Sequence, residues 1–449
     1  MLTITEPARD VPVVAEVDVC VLGGSCTGVF ASVAAARAGA SAAVVEVNGC
    51  FGGVATAGLV NIWHKTVDER MEQQIIGGLT MEVVDRLRKR DAVKEFVPDA
   101  SKQFILNTAE LQIELDELVR DAGVRPFLHT RFVAPVTEDG QVTAAIIEDK
   151  TGRRAIKAKQ FIDATGDGDL LARAGLPFEL RDDLQPPTVC AMIQGIDQID
   201  SERHWVDEVF DESRPEHLTC GFLWTSKVTG LENMRMVAGS RVNNANCADA
   251  DELTAAEIEG RRQVRVICDV LRSLPGGKQH VGLAGMSSYI GIRETRHAVC
   301  LHRVTEEEVL HGVSYPDTIG NGCYRVDVHH SDKPGLTFRY LDGREEYLAP
   351  GEPKQLGRWR EETDDWNAFY QIPYRSLVPK GSKNVLVAGR LLDADRGAYG
   401  GLRVMVNCNQ TGQAAGLAAA QAAKDDLTVD RVDTSRLQQE LRDQGAVIF

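Results

Sequence analysis

A chain of 449 residues is long enough for two or three domains with a sizeable core. Its formal net charge of −16 argues against nucleic acid or an anionic membrane surface as the main partner, and no apolar run approaches the length of a membrane span. Ten cysteines are scattered without a CxxC pair, so no iron–sulfur motif or zinc knuckle is written here and no metal is expected. The start, MLTITEPARD, lacks the basic and apolar regions of a signal peptide, so a cytoplasmic, reduced setting is the expectation.

In chain order, the first elements are a buried-strand pattern, VDVCVLGG, a glycine-rich turn, GGSCTG, and an alanine-rich helix, VFASVAAARAGA. A second apolar strand, SAAVVE, follows, and then the glycine-rich CFGGVATAGLVNIW. Apolar spacing predicts a helix in TAELQIELDELVRDAG, ending at Gly123. RPFLHT, RFVAPVTEDG, QVTAAIIED and RRAIKAKQFIDATG read as a meander of short strands that returns to a glycine cluster, GDGD. From about Gln185 to about Tyr374 the composition changes to mixed strands, polar loops and aromatics. The end is again α/β, with a buried strand KNVLVAGR and a long small-residue helix in LRVMVNCNQTGQAAGLAAAQAAK. This pattern predicts a tail at 1–14 and one split domain, 15–185 with 375–449, into which 186–374 is inserted.

The first unit carries chemistry. Gly23, Gly24 and Gly28 supply a tight turn, close approach to a pyrophosphate and close helix–strand packing. Glu46 closes the second strand about 20 residues after the turn, where a carboxylate accepts hydrogen bonds from ribose hydroxyls. The helix N-terminus offers N–H groups and a positive dipole end to phosphate. Ser25 stands where the fingerprint has its middle glycine. The plainer alternative is an ordinary βαβ unit with a glycine turn.

Several separated segments together resemble the FAD-dependent oxidoreductases that share the glutathione-reductase-like FAD fold. FGGVATAGLV is similar to the family's segment after the ribose acid, and FIDATGDGDLLARAG to its returning FAD strand. SYIGIRETRH, YRVDVH and IPYRSLVP are similar to its substrate-side motifs, and NVLVAGR with GLRVMVNCNQTGQAAG to its closing strand and helix. The wider family includes flavin subunits of heterodisulfide reductases, whose cysteine clusters this chain lacks. The fold implied is α/β, a Rossmann-type FAD-binding domain with an inserted mixed α+β substrate domain, and the cofactor implied is FAD.

The resemblance extends the FAD contacts. It implies Ser25, Cys26 and Thr27 in the turn, Val47 after the ribose acid, and Gly52, Gly53, Ala55 and Thr56, small enough for backbone to pack on the ring system. It adds Val133 in the meander and Ala164, Thr165, Gly166 and Asp167 at the returning strand. Asp167 and Asp169 either bind ribityl hydroxyls or cap the helix LLARAG. At the end of the chain it implies Gly389, Arg390, Gly400, Gly401, Arg403 and Val404, with the turn AYGG at the start of the last helix facing the flavin. Gly412, Ala415 and Gly416 read equally as close-packing positions of a structural helix.

In YRVDVHH, strand alternation puts Arg325, Asp327 and His329 on one face. An Asp beside a His sets its tautomer and raises its basicity, which suits proton removal while hydride passes to flavin N5. A solvated face with an ordinary ion pair is the competing reading. Arg293 and Arg296 clamp a carboxylate or the reduced flavin's charge, or else pair with Glu294. Tyr374 sits where the chain re-enters the FAD domain, and His64 and Tyr289 are alternative sites for the base. The grouping of His297, Cys300 and His302 fits no common metal site. The absence of a redox cysteine pair and of a second strand–glycine–helix unit favours oxidation of a small organic substrate by a dehydrogenase or oxidase. The alternatives are a monooxygenase or halogenase-like enzyme using an external reductant, or an electron-transfer subunit. A homo-oligomer or a redox partner is left open.

Overall fold

The computed structural model describes residues 2–96, 103–199, 204–218, 222–330, 333–349 and 352–449. Strand β1 (Val13–Leu22) runs into helix α1 (Cys26–Arg37) and back into β2 (Ala42–Val45), the βαβ unit read from the sequence. The last four residues of β1 and all of β2 are buried, as strands covered on both faces of a parallel sheet must be. Helix α2 (Thr108–Asp121) is capped by Asn107 and stops before Gly123, whose φ of +69° ends it. It leads into β3 (Arg125–Phe127), β4 (Arg131–Glu138), β5 (Gln141–Asp149) and β6 (Gly152–Asp163).

The meander is three strands, not four. β4, β5 and β6 pair antiparallel, whereas β3 crosses to the far edge and joins β2 in parallel. β6 then lies parallel beside β1, with Val21 opposite Ile162, and this brings the GDGD turn next to the first glycine turn.

The next segment forms a second sheet from β7 (Ala191–Gln194), β8 (Trp224–Lys227), β9 (Met234–Ala238) and, after helix α3 (Ala250–Ser273), β10 (Gly282–Met286). Its apolar residues and those of α3 make a core of their own. A third sheet, antiparallel throughout, holds β11 (Val326–His329), β12 (Leu336–Arg339), β13 (Arg344–Leu348) and β14 (Gln355–Arg358). Residues between Val304 and Val378, Val326 of β11 among them, share the large core of α1.

The chain closes with β15 (Val385–Val387), parallel to the end of β6, a short helix α4 (Arg396–Leu402) and the long helix α5 (Met405–Asp425). α5 crosses α1 with almost no gap. A Cβ at Gly412 would lie 2.1 Å from the Thr27 carbonyl oxygen, and one at Gly416 2.0 Å from that of Ala31. The two packing glycines therefore fix where the N-terminus of α5 ends up. Among the described residues no helix is long and apolar enough to cross a membrane, and no His, Cys, Asp and Glu cluster could hold a metal.

Candidate active site

β1 must turn into α1 within three residues, and Gly23 does so at a φ of +100°. A Cβ there would lie 2.2 Å from the Ala164 carbonyl oxygen, and one at Gly28 only 1.8 Å from that of Gly23. Ser25 is accommodated in the middle position because glycines stand opposite: it bridges to Gly52, and a Cβ on Gly53 would come within 2.7 Å of its own. Ser25 gives α1 no side-chain cap, so the helix presents open N–H groups beside Cys26 and Thr27. Glu46 accepts from the Gly24 amide at 2.7 Å and from the Asn48 amide at 2.8 Å. Burial pushes its carboxyl above the usual range, against these hydrogen bonds. It fastens the turn to the end of β2.

The GDGD turn lies alongside. Thr165 Oγ1 accepts the Asp169 amide at 3.1 Å, and neither Asp167 nor Asp169 caps the helix Asp169–Arg173. Buried Asp163 accepts from Thr165 and from the Leu171 amide, and desolvation pushes it up to about 6. Asp167 accepts from Arg390 Nη2 at 3.1 Å and Thr295 Oγ1 at 2.9 Å, which holds Arg390 over Gly166. Gly389, with a φ of +73°, packs on Thr27. α5 begins at Val404 with no side-chain cap, and Asn409 in its second turn is 1% exposed with both amide atoms unpartnered.

Ser25, Cys26, Thr27, Gly52, Ala164, Thr165 and Gly166 line one end of a cavity of about 570 Å³, as do Gly389, Arg390, Arg403 and Val404. The other end is walled by Tyr289, Arg293, Tyr324, Arg325, Asp327 and His329 of the inserted region, with His64 from the first part of the split domain. His329 Nε2 faces Asp327 Oδ1 at 3.5 Å, and Asp327 Oδ2 meets the Tyr324 hydroxyl at 3.3 Å and Arg403 Nη2 at 3.4 Å. Arg293 donates to Thr188 Oγ1 at 2.6 Å, an oxygen that also accepts from Arg241 at 2.7 Å.

The expected rise in His329 basicity is reversed. Burial first, and then Arg293, Arg241 and Arg403, hold the imidazole well below its ordinary 6.5. One carboxylate cannot offset desolvation together with three guanidiniums. Burial and Arg325 likewise push His64 down to about 3, and burial drives the Tyr289 phenol upward.

Other expected site residues lie off the cavity. Gly400 and Gly401 belong to α4, not to the start of the long helix. A Cβ on Gly400 would strike the Asp327 backbone at 2.6 Å, so these glycines let α4 pack on β11. Arg296 separates from Arg293 and donates to the Asp167 carbonyl at 2.8 Å, bracing the GDGD turn. Tyr374 is 2% exposed in the core with its hydroxyl on the Val429 carbonyl at 2.7 Å. Ala55 and Thr56 are fully buried, Val133 sits at a bulge of β4, and Val47 is about half exposed. Sequence reading missed Asn409, Gln185, Thr188 and Arg241. Asn409 had a signal, since polar residues in the first turns of an otherwise alanine-rich helix need a partner. Arg241 comes from a loop after β9 and had none.

The profile of one family, described as FAD dependent oxidoreductase, matches residues 18–441. The chain belongs to this family. It is therefore an enzyme and a flavoprotein, with FAD as its cofactor, built on a mixed α/β FAD-binding fold around a parallel-stranded sheet. The cavity suits that group: two uncapped helix N-termini, a glycine turn without room for a Cβ, and the unpartnered Asn409 amide all open on it. No curated protein matches the sequence. Among solved structures, a geranylgeranyl bacteriochlorophyll reductase-like protein from Thermoplasma acidophilum is similar at 13% identity, covering 96% of this chain and 84% of that one, with a TM-score of 0.47. p-Nitrophenol 4-monooxygenase PnpA from Pseudomonas putida DLL-E4 is similar at 11% identity, covering 93% and 82%, with a TM-score of 0.43. The flavin-dependent brominase Bmp2 is similar at 9% identity, covering 96% and 83%, with a TM-score of 0.44.

Proposed function

We propose that this FAD-dependent oxidoreductase is a dehydrogenase or oxidase of a small organic molecule, on the glutathione-reductase-like variant of the fold. The fold variant is supported by the three-stranded meander that returns as β6 beside β1, with β15 alongside it. The observation that carries the reaction is that Asp327 and His329 open on the same cavity as the first turn of α1 and the N-terminus of α5. When bound, FAD supplies the acceptor for a hydride leaving a substrate C–H bond. His329 is the base. Asp327 favours the proton on Nε2, which leaves Nδ1 to take the proton from the hydroxyl or amine on the carbon being oxidised. The depressed pKa keeps that ring neutral, hence able to accept, throughout the neutral range. Arg403 and the dipole of α5 would offer positive charge to the reduced flavin, and Gln185, bonded to Arg403 Nη2 at 3.0 Å, aims the guanidinium. The α1 N-terminus would hold the pyrophosphate, with Arg390, itself held by Asp167, beside it.

Anaerobic mixing with panels of alcohols, amines and hydroxy acids, and separately with NAD(P)H, tests the reading. A substrate should bleach the flavin absorbance, and NAD(P)H should do so poorly. Rapid reduction by NAD(P)H alone, with no substrate able to bleach the flavin, would replace this reading with a monooxygenase or reductase.

A further inference from the structure

We propose that Arg325 is the anchor for a carboxylate of the substrate, so that the substrate is a small organic carboxylate with an apolar body. This deepens the dehydrogenase reading and rests on it for the reacting end, though not for the anion subsite itself. Arg325 immediately precedes β11 and lines the cavity. Its guanidinium carbon lies 3.7 Å from the Phe338 ring centroid, 5.2 Å from that of Tyr324 and 5.6 Å from that of Tyr340. These aromatic faces orient the cation without neutralising it.

The other arginines nearby are engaged. Arg293 is bonded to Thr188, Arg390 to Asp167, and Arg403 to Gln185 and Asp327. On the neighbouring strand, Arg339 takes both Glu306 and Glu345. Arg325 makes no hydrogen bond or ion pair with a described residue, and its Nε is buried without an acceptor. Asp327 and Glu346 act on it only from a distance: Asp327 Oδ2 meets Tyr324 and Arg403 while its Oδ1 faces His329 Nε2 at 3.5 Å, and Glu346 meets Tyr340 and Lys354. His64 adds no second positive charge, since burial and Arg325 keep it neutral.

A guanidinium withdrawn from water without a partner is destabilising, and a ligand carboxylate relieves it through two parallel N–H···O bonds. The wall around it is apolar, with Val60, Ile62, Leu336, Phe338 and Leu348 on the cavity. Arg293 meets only neutral oxygens, but among the described residues Arg325 is the cavity guanidinium with no hydrogen bond at all, and in such a wall it matches a carboxylate on an apolar body.

The test uses the oxidised holoenzyme and the perturbation of its flavin spectrum by hexanoate, 3-phenylpropionate, their amides and 3-phenylpropyl phosphate. The carboxylates should bind about 30-fold or more tightly than the amides. Arg325→Met should abolish that preference at full flavin content, and Arg325→Lys should keep part of it. Equal binding of acids and amides, a preference that survives Arg325→Met, or tighter binding of the phosphate ester would overturn the proposal. Should Arg325→Met fail to fold or to hold FAD, the acid-to-amide ratio of the wild type and of Arg325→Lys decides. The titration needs no turnover. A carboxylate preference that depends on Arg325, in a protein that no substrate reduces, would uphold the subsite and end the dehydrogenase reading.

Discussion

The two ends of the cavity are built by different means. The glycine-turn end is framed by backbone: Gly23, Gly28 and Gly412 each stand where a Cβ would come within 2.2 Å of a carbonyl oxygen, and two helices begin there uncapped. The far end is side chains, with Arg293 and Arg325 of the inserted region, and Arg403 reaching in from just before α5, near one carboxylate, Asp327, and a buried imidazole. The first end works by excluding atoms and the second by placing charge. A substitution in the cradle should therefore act through sterics and remove the cofactor, whereas one in the far wall should leave the cofactor and change what the protein does with it.

The largest effect expected from this contrast is at Gly28. Gly28→Val forces β1 and α1 apart and should cost more than about 3 kcal/mol, with loss of bound FAD seen as a colourless protein. A yellow Gly28→Val protein with full flavin content would show that the close packing is dispensable. Arg296→Met comes next. Removing a charged donor from the Asp167 carbonyl should lower stability in denaturant titration by about 2 kcal/mol, while the reduction rate per bound FAD stays at its wild-type value. A slowed rate with a changed pH profile would move Arg296 from the cradle's support to the reacting wall. The smallest effect is at Tyr374→Phe, where losing the bond to the Val429 carbonyl should cost about 1 kcal/mol and leave flavin reduction unchanged.

The same contrast explains what the sequence could reveal. Gly23, Gly28 and the GDGD turn were legible because strand, turn and helix are contiguous and each glycine is demanded by its neighbours in the chain. Strand alternation likewise put Asp327 and His329 on a shared face. The environment of His329 was not legible. It depends on Arg241, Arg293 and Arg403, which approach from three distant segments and overturn the basicity expected from Asp327 alone. Gly400 and Gly401 were misread for a related reason. A glycine pair before a long helix looks the same whether it faces a ligand or, as here, the backbone of a packed strand.

The central claim, that the two ends form one reacting site with His329 as its base, is tested most directly by anaerobic, substrate-driven flavin reduction in His329→Asn. The variant should keep its FAD and its fold and be slowed by about 10²-fold. In the wild type the rate should rise with pH along a limb lying below pH 6.5 and be flat through neutrality, because only the neutral imidazole accepts the proton and its pKa is depressed. That limb should be absent from the variant. A His329→Asn protein that reduces its flavin at the wild-type rate, with the acid limb intact, would contradict the account.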